Sequence, residues 1–112
     1  MYNMNLENIK DRRVLIVGMG KSGVAAAQAM LKLGANVTIQ DSKERQKTDA
    51  QLLNFLEGKN VKCYFHQLPE HVADFDMIIL SPGVNPELDF IREAEADGAE
   101  IVGELEIAYR VA

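Results

Sequence analysis

A chain of 112 residues accommodates one domain with a single core, and its 47% hydrophobic content excludes a disordered polymer. A formal net charge of -5 argues against the clustered basic surface that grips nucleic acid or anionic membranes, so any anion must be held by local geometry. No apolar run approaches the roughly 20 residues of a membrane span, and Met1-Tyr2-Asn3-Met4 opens no signal peptide, so a cytosolic protein is expected.

In chain order, Leu6 and Ile9 lie in a short lead-in and are available to pack. The run Val14 to Val17 then predicts a strand that ends in Gly18-Met19-Gly20-Lys21-Ser22-Gly23. Val24, Ala27, Met30 and Leu31 recur at helical spacing, and Gly34 supplies a stop. Val37 to Ile39 predicts the second strand, which exits into Asp41-Ser42-Lys43. Thr48-Asp49-Ala50-Gln51 has the form of a capping box for a helix that buries Leu52, Leu53 and Leu56 and ends at Gly58. Val61 to Phe65 predicts a third strand carrying Cys63, the only cysteine, expected as a buried structural thiol. One cysteine excludes an internal disulfide and a multi-cysteine zinc site.

Met77 to Leu80 predicts the fourth strand, followed by Ser81-Pro82-Gly83. Leu88, Ile91 and Ala94 mark a helical face closed by Gly98, with Glu93, Glu95 and Asp97 on its solvated side. Ile101 to Val102 predicts the fifth strand, and Glu104 to Ala112 reads as a closing helix. Alternating strands and helices imply an α/β, Rossmann-like three-layer fold with a five-stranded parallel sheet in the order 3-2-1-4-5. Residues 1–112 are expected to form this single domain.

In such a sheet the ligand crevice lies beyond the carboxyl ends of the strands, where strand order reverses. Gly18 suits a tight turn there, Gly20 lets the backbone approach a ligand, and Gly23 lets the helix pack closely on the sheet. Free N–H groups at the helix start favour a phosphate, with Lys21 and Ser22 adding a cation and a hydroxyl. Ser81 and Gly83 offer donors from the opposite side, on a turn stiffened by Pro82. Asp41 stands where comparable folds place a carboxylate against the nucleoside, although it also suits a turn cap.

Other chemistries fit less well. Gly20-Lys21-Ser22 resembles the end of an ATP-binding P-loop, but that motif needs glycine where Leu15 stands. His66 and His71 lack the helical spacing of a zinc protease and read as loop residues. Glu104 and Glu106 read as carboxylates favouring a helix dipole rather than as acid/base groups.

The ordered combination VLIVGMGKSG, Asp41-Ser42, LSPGV and EIVGELE resembles the N-terminal domain of the D-glutamate-adding Mur ligases of peptidoglycan synthesis, from Lys10 onward. The resemblance implies binding of the uridine diphosphate end of UDP-N-acetylmuramoyl-L-alanine. Asp41 and Ser42 would contact uracil, Lys21 and Ser22 would lie along the nucleotide, and Ser81, Pro82 and Gly83 would hold the diphosphate. It also implies ATP and magnesium for a full-length enzyme, with central and C-terminal domains as partners. No cofactor, metal or catalytic residue is expected on this chain, which alone would be inactive. Lys43 stands where the family often has arginine, and lysine lacks the planar group that stacks on a base.

Two other classes share the glycine turn. An NAD(P)-binding oxidoreductase domain would use Gly18 to Gly23 and Asp41 for adenosine ribose, but no hydride-transfer acid or base stands out. A nucleotide-sensing regulatory domain of a transporter would signal through dimer contacts.

Overall fold

A computed structural model describes residues 9–18, 21–41, 50–59, 61–65, 67–68, 74–104 and 106; the side chains of 21, 22 and 50–53 are outside that description. The elements run β1 (Arg13–Val17), α1 (Lys21–Lys32), β2 (Asn36–Asp41), α2 (Ala50–Gly58), β3 (Lys62–Phe65), β4 (Met77–Leu80), α3 (Asp89–Ala96) and β5 (Glu100–Gly103). All strand pairs are parallel, in the order β3-β2-β1-β4-β5. The expected fold and strand order are therefore the observed ones.

Burial on both faces explains why β1 and β4 are apolar throughout their cores, Val14 to Val17 and Met77 to Leu80. Alternation sends Val14, Ile16, Val37, Ile39, Met77, Ile79 and Val102 to one face, against Ala26, Ala27 and Met30 of α1 and Leu56 of α2. Leu15, Val17, Ile78 and Leu80 face the other way, against Ile91 and Ala94 of α3. Ile9 joins the first cluster, as its place in the lead-in suggests; Leu6 lies outside the described residues.

Helix ends fall at or beside the expected glycines in all three places. Gly34 has φ +86°, and the Gly34 and Ala35 N–H groups donate to the carbonyls of Leu31 and Met30 at 3.0 and 3.1 Å. This is the paired closure that a left-handed residue permits. Gly98, φ +105°, repeats it, with Gly98 and Ala99 N–H on Glu95 and Ala94 at 3.0 Å each. Gly58 instead is the last helical residue of α2 without a positive φ, and the Val61 N–H closes that helix on the Leu56 carbonyl at 3.1 Å. Thr48 and Asp49 lie outside the described residues.

Two further expectations shift. Leu88 precedes α3 as its N-cap and is 41% exposed, so the buried face of that helix rests on Ile91 and Ala94. Cys63 is half-buried, and its Sγ–H lies 3.9 Å from the Val61 carbonyl. At the opposite end of the sheet from the glycine turn, the Arg13 N–H donates to Asp76 Oδ2 at 2.9 Å, and the guanidinium lies 5.5 Å over the Phe75 ring.

Candidate functional site

Strand register sets the geometry of the carboxyl edge. Val17 pairs with Gln40 on one side and Leu80 on the other, and Leu80 pairs with Gly103. The next residues along these strands, Asp41, Gly18, Ser81 and Glu104, therefore stand level at the point where strand order reverses. Each continues the alternation that sends Ile39, Ile16, Ile79 and Val102 toward α1 and α2. The row thus lies at the edge of the sheet face over which α1 begins.

Gly18 anchors the row. Its N–H donates to the Gln40 carbonyl at 2.8 Å, and the Ser81 N–H donates to the Val17 carbonyl at 3.1 Å, prolonging the ladders past the strand ends. Gly18 has φ +106°, and a Cβ there would meet Ser81 Oγ at 2.1 Å. Only glycine supplies both that dihedral angle and that space. Gly23 carries the second close approach: a Cβ there would lie 2.2 Å from the Gly18 carbonyl oxygen and 3.2 Å from Glu104 Oε1. The first turn of α1 is thereby seated against the β1 exit, as expected of the last glycine in the motif.

The floor between the β1 and β4 exits is built from side chains. The Ser81 hydroxyl donates to Glu104 Oε1 at 2.7 Å. Glu104 is 4% exposed, and its Oε2 is buried without a hydrogen-bond partner among the described residues. A carboxylate beside the first turn of α1 is favoured by the helix dipole, which partly offsets its desolvation. Beyond Ser81 the chain turns at once, with the Val84 N–H on the Ser81 carbonyl at 3.0 Å and Pro82 and Gly83 exposed. A Cβ on Gly83 would meet nothing within 4 Å, so the outer side of this turn is open.

The structure therefore brings Gly18, Gly23, Ser81 and Asp41 to one edge, with Pro82 and Gly83 above it. Asp41 is 8% exposed and already has interactions, so it is a buried, held carboxylate rather than a loose turn residue. Lys21 and Ser22 open α1, with their side chains outside the description. Gly20, Ser42, Lys43, His66 and His71 lie outside the described residues.

Two site residues escape the sequence reading. Glu104 reads there as a helix-start carboxylate favouring the dipole, yet it is a buried acceptor for Ser81. Its position directly after β5, inside the IVGELE segment, is the signal that could have found it. Gln40 is 8% exposed and its Nε2 donates to the Gln67 carbonyl at 3.3 Å, tying the end of β2 to the chain beyond β3.

A doubly wound parallel sheet with a glycine turn and a second tight turn facing each other across the strand-order reversal defines a Rossmann-like α/β domain. Residues 12–103 match the family model described as Mur ligase MurD-like, N-terminal domain, and the chain belongs to that family. It is 35% identical over 107 residues to UDP-N-acetylmuramoylalanine--D-glutamate ligase of Alkaliphilus oremlandii, covering 94% of this chain and 24% of that protein. It is 40% identical over 104 residues to the ligase of the same name from Desulfitobacterium hafniense, covering 92% and 22%. The chain thus spans about a quarter of the length of these relatives.

Among solved structures, a pseudomurein peptide ligase type C from Methanothermus fervidus aligns with TM-score 0.70 at 17% identity, covering 88% of this chain and 20% of that one. Shikimate dehydrogenase from Aquifex aeolicus aligns with TM-score 0.57 at 17% identity, covering 89% and 45%. At such identities the likeness is one of fold, shared by ligases and dehydrogenases alike.

Proposed function

We propose that this chain binds the uridine diphosphate end of UDP-N-acetylmuramoyl-L-alanine, as the N-terminal domain of a D-glutamate-adding ligase. The observation that carries this reading is the level row Asp41, Gly18, Ser81 and Glu104 at the strand-order reversal of a MurD-like domain. In this reading the diphosphate lies over Gly18, Gly20 and Gly23 and the start of α1, alongside Lys21 and Ser22. Ser81, Pro82 and Gly83 close over it from the β4 side, and Asp41 and Ser42 meet the uracil.

The geometry refines one role. Because the Ser81 hydroxyl donates to Glu104, its proton is engaged, and the open backbone approach at Gly83 suits the phosphate better than the hydroxyl does. Conventional P-loop ATP binding does not fit this chain: Leu15, at the position where the motif needs its first glycine, is wholly buried in β1. ATP, magnesium and the ligation chemistry belong, in this proposal, to the central and C-terminal domains of the whole ligase. This domain supplies orientation of the nucleotide.

The test is a comparative NMR titration with UDP, UDP-N-acetylmuramoyl-L-alanine, NAD and ATP. The expected result is saturable shifts at Gly18, Asp41 and Gly83 with the uridine ligands. Saturable binding of NAD alone would overturn the reading in favour of an oxidoreductase domain. Asp41→Asn, which keeps the side-chain volume, is expected to weaken uridine binding in a folded domain; unchanged affinity would remove Asp41 from the site.

A further inference from the structure

Glu104 is a buried carboxylate that the proposed nucleotide contacts do not use. It lies between the β1 and β4 exits, with one oxygen held by Ser81 and the other without a partner among the described residues. Its Oε1 would be 3.2 Å from a Cβ on Gly23, so the carboxylate rests against the first turn of α1. That turn is where the backbone most favours an anion, and a negative charge of the protein already occupies its neighbourhood. Any phosphate admitted there is brought beside this charge in a partly desolvated setting, where like charges repel more than in water.

The consequence depends on the ligand's charge. A diphosphate esterified at both ends carries one fewer ionisable phosphate oxygen than a free nucleoside diphosphate, and a triphosphate carries more still. We infer that Glu104 is a specificity-determining residue of the crevice, one whose buried charge favours an esterified uridine diphosphate over free terminal phosphates. This deepens the uridine-diphosphate reading and rests on it. Ser81 is the positioning partner that keeps the carboxylate at the floor, while Gly18 and Gly23 provide the space for both.

The experiment measures the affinities of UDP-glucose, UDP and UTP for the wild-type chain, Glu104→Gln and Ser81→Ala. Glutamine keeps an acceptor for the Ser81 hydroxyl and removes the charge. E104Q is expected to raise the affinity for UDP relative to UDP-glucose by about tenfold, with a larger gain for UTP. Ser81→Ala keeps the charge but removes the bond that positions it, so its UDP to UDP-glucose ratio should shift in the same direction as in E104Q and by less. A role limited to packing would instead shift all three ligands together.

An unchanged ratio in folded E104Q overturns the inference while leaving the uridine site intact. If E104Q does not fold, the double variant Glu104→Met with Ser81→Ala replaces both polar partners by apolar groups, and it must show the same change of ratio. Absence of saturable binding of every uridine ligand to the folded wild-type chain overturns the underlying reading and this inference with it.

Discussion

Gly18 and Ser81 share one small volume: the position that a Cβ on Gly18 would take lies 2.1 Å from Ser81 Oγ and 2.8 Å from Ser81 Cβ. The two turns that face each other across the strand-order reversal are therefore in contact, and the absent side chain of one is filled by the side chain of the other.

Gly18→Ala should accordingly be costly. Overlap with Ser81 and the positive φ each contribute on the order of 1–3 kcal/mol, which lowers the melting temperature by about 10 °C or more. Combining it with Ser81→Gly removes the overlap but not the backbone strain, so the pair should be less destabilising than the sum of the single changes. Thermal melts of the three variants measure this coupling, and strict additivity would mean that the contact has no energetic weight.

Gly23→Ala and Gly83→Ala should separate fold from binding. The first drives a methyl group to 2.2 Å from the backbone oxygen of Gly18, which has no flexible end to yield. A loss of about 2 kcal/mol or more is expected. The second meets nothing and needs no positive φ, so stability should change by less than about 1 kcal/mol, while uridine-diphosphate affinity falls. Denaturant titration alongside ligand titration distinguishes the two.

On α3, truncation should track burial rather than hydrophobicity. Ile91 is 1% exposed and Leu88 is 41% exposed. Ile91→Ala is expected to cost about 2–4 kcal/mol through the cavity it leaves, and Leu88→Ala less than about 1 kcal/mol. Equal losses in urea unfolding would contradict the observed register of the helix.

The pair Arg13 and Asp74 should contribute little. Their atoms are 3.4 Å apart, but each side chain is about half exposed, 48% and 54%. Asp74→Ala should shift stability by less than about 0.5 kcal/mol, whereas Asp76→Ala, which removes the acceptor of the Arg13 backbone N–H, should cost about 1 kcal/mol. Melts at low and high salt check both, since only the first difference should shrink further with screening.

The fold is legible because its signals are local and agree. The apolar runs of β1 and β4 require burial on both faces, and Gly34 and Gly98 carry the positive φ angles that end their helices. The order of the strands follows from the same alternation and from the position of the glycine turn. Gly58 ends α2 as expected but by another closure, since it is the last helical residue and needs no positive φ. Leu88 misleads because helical spacing extends past the point where the helix starts.

For the site, the glycine and SPG turns announce themselves through residue type, but the chemistry of the floor does not. Glu104 is 23 positions from Ser81 along the chain, and nothing local in either segment states that one will accept the other's proton. The burial of Glu104 arises from sheet register, a property of four strands together. A carboxylate at an expected helix start is ordinarily read through the helix dipole, whereas here its burial and its bond to Ser81 come from its place directly after β5.

The level row of strand exits also governs which changes of chain length the domain can absorb. Inserting or deleting one residue within β4 would rotate Ser81 to the opposite face, part it from Glu104 and leave the space at Gly18 unfilled. The same edit in the turn around Pro82 and Gly83 would leave every strand partner in place. Length variation compatible with this architecture is therefore confined to the outer turns, while the spacing from Val14 to Gly18 and from Met77 to Ser81 behaves as a fixed gauge.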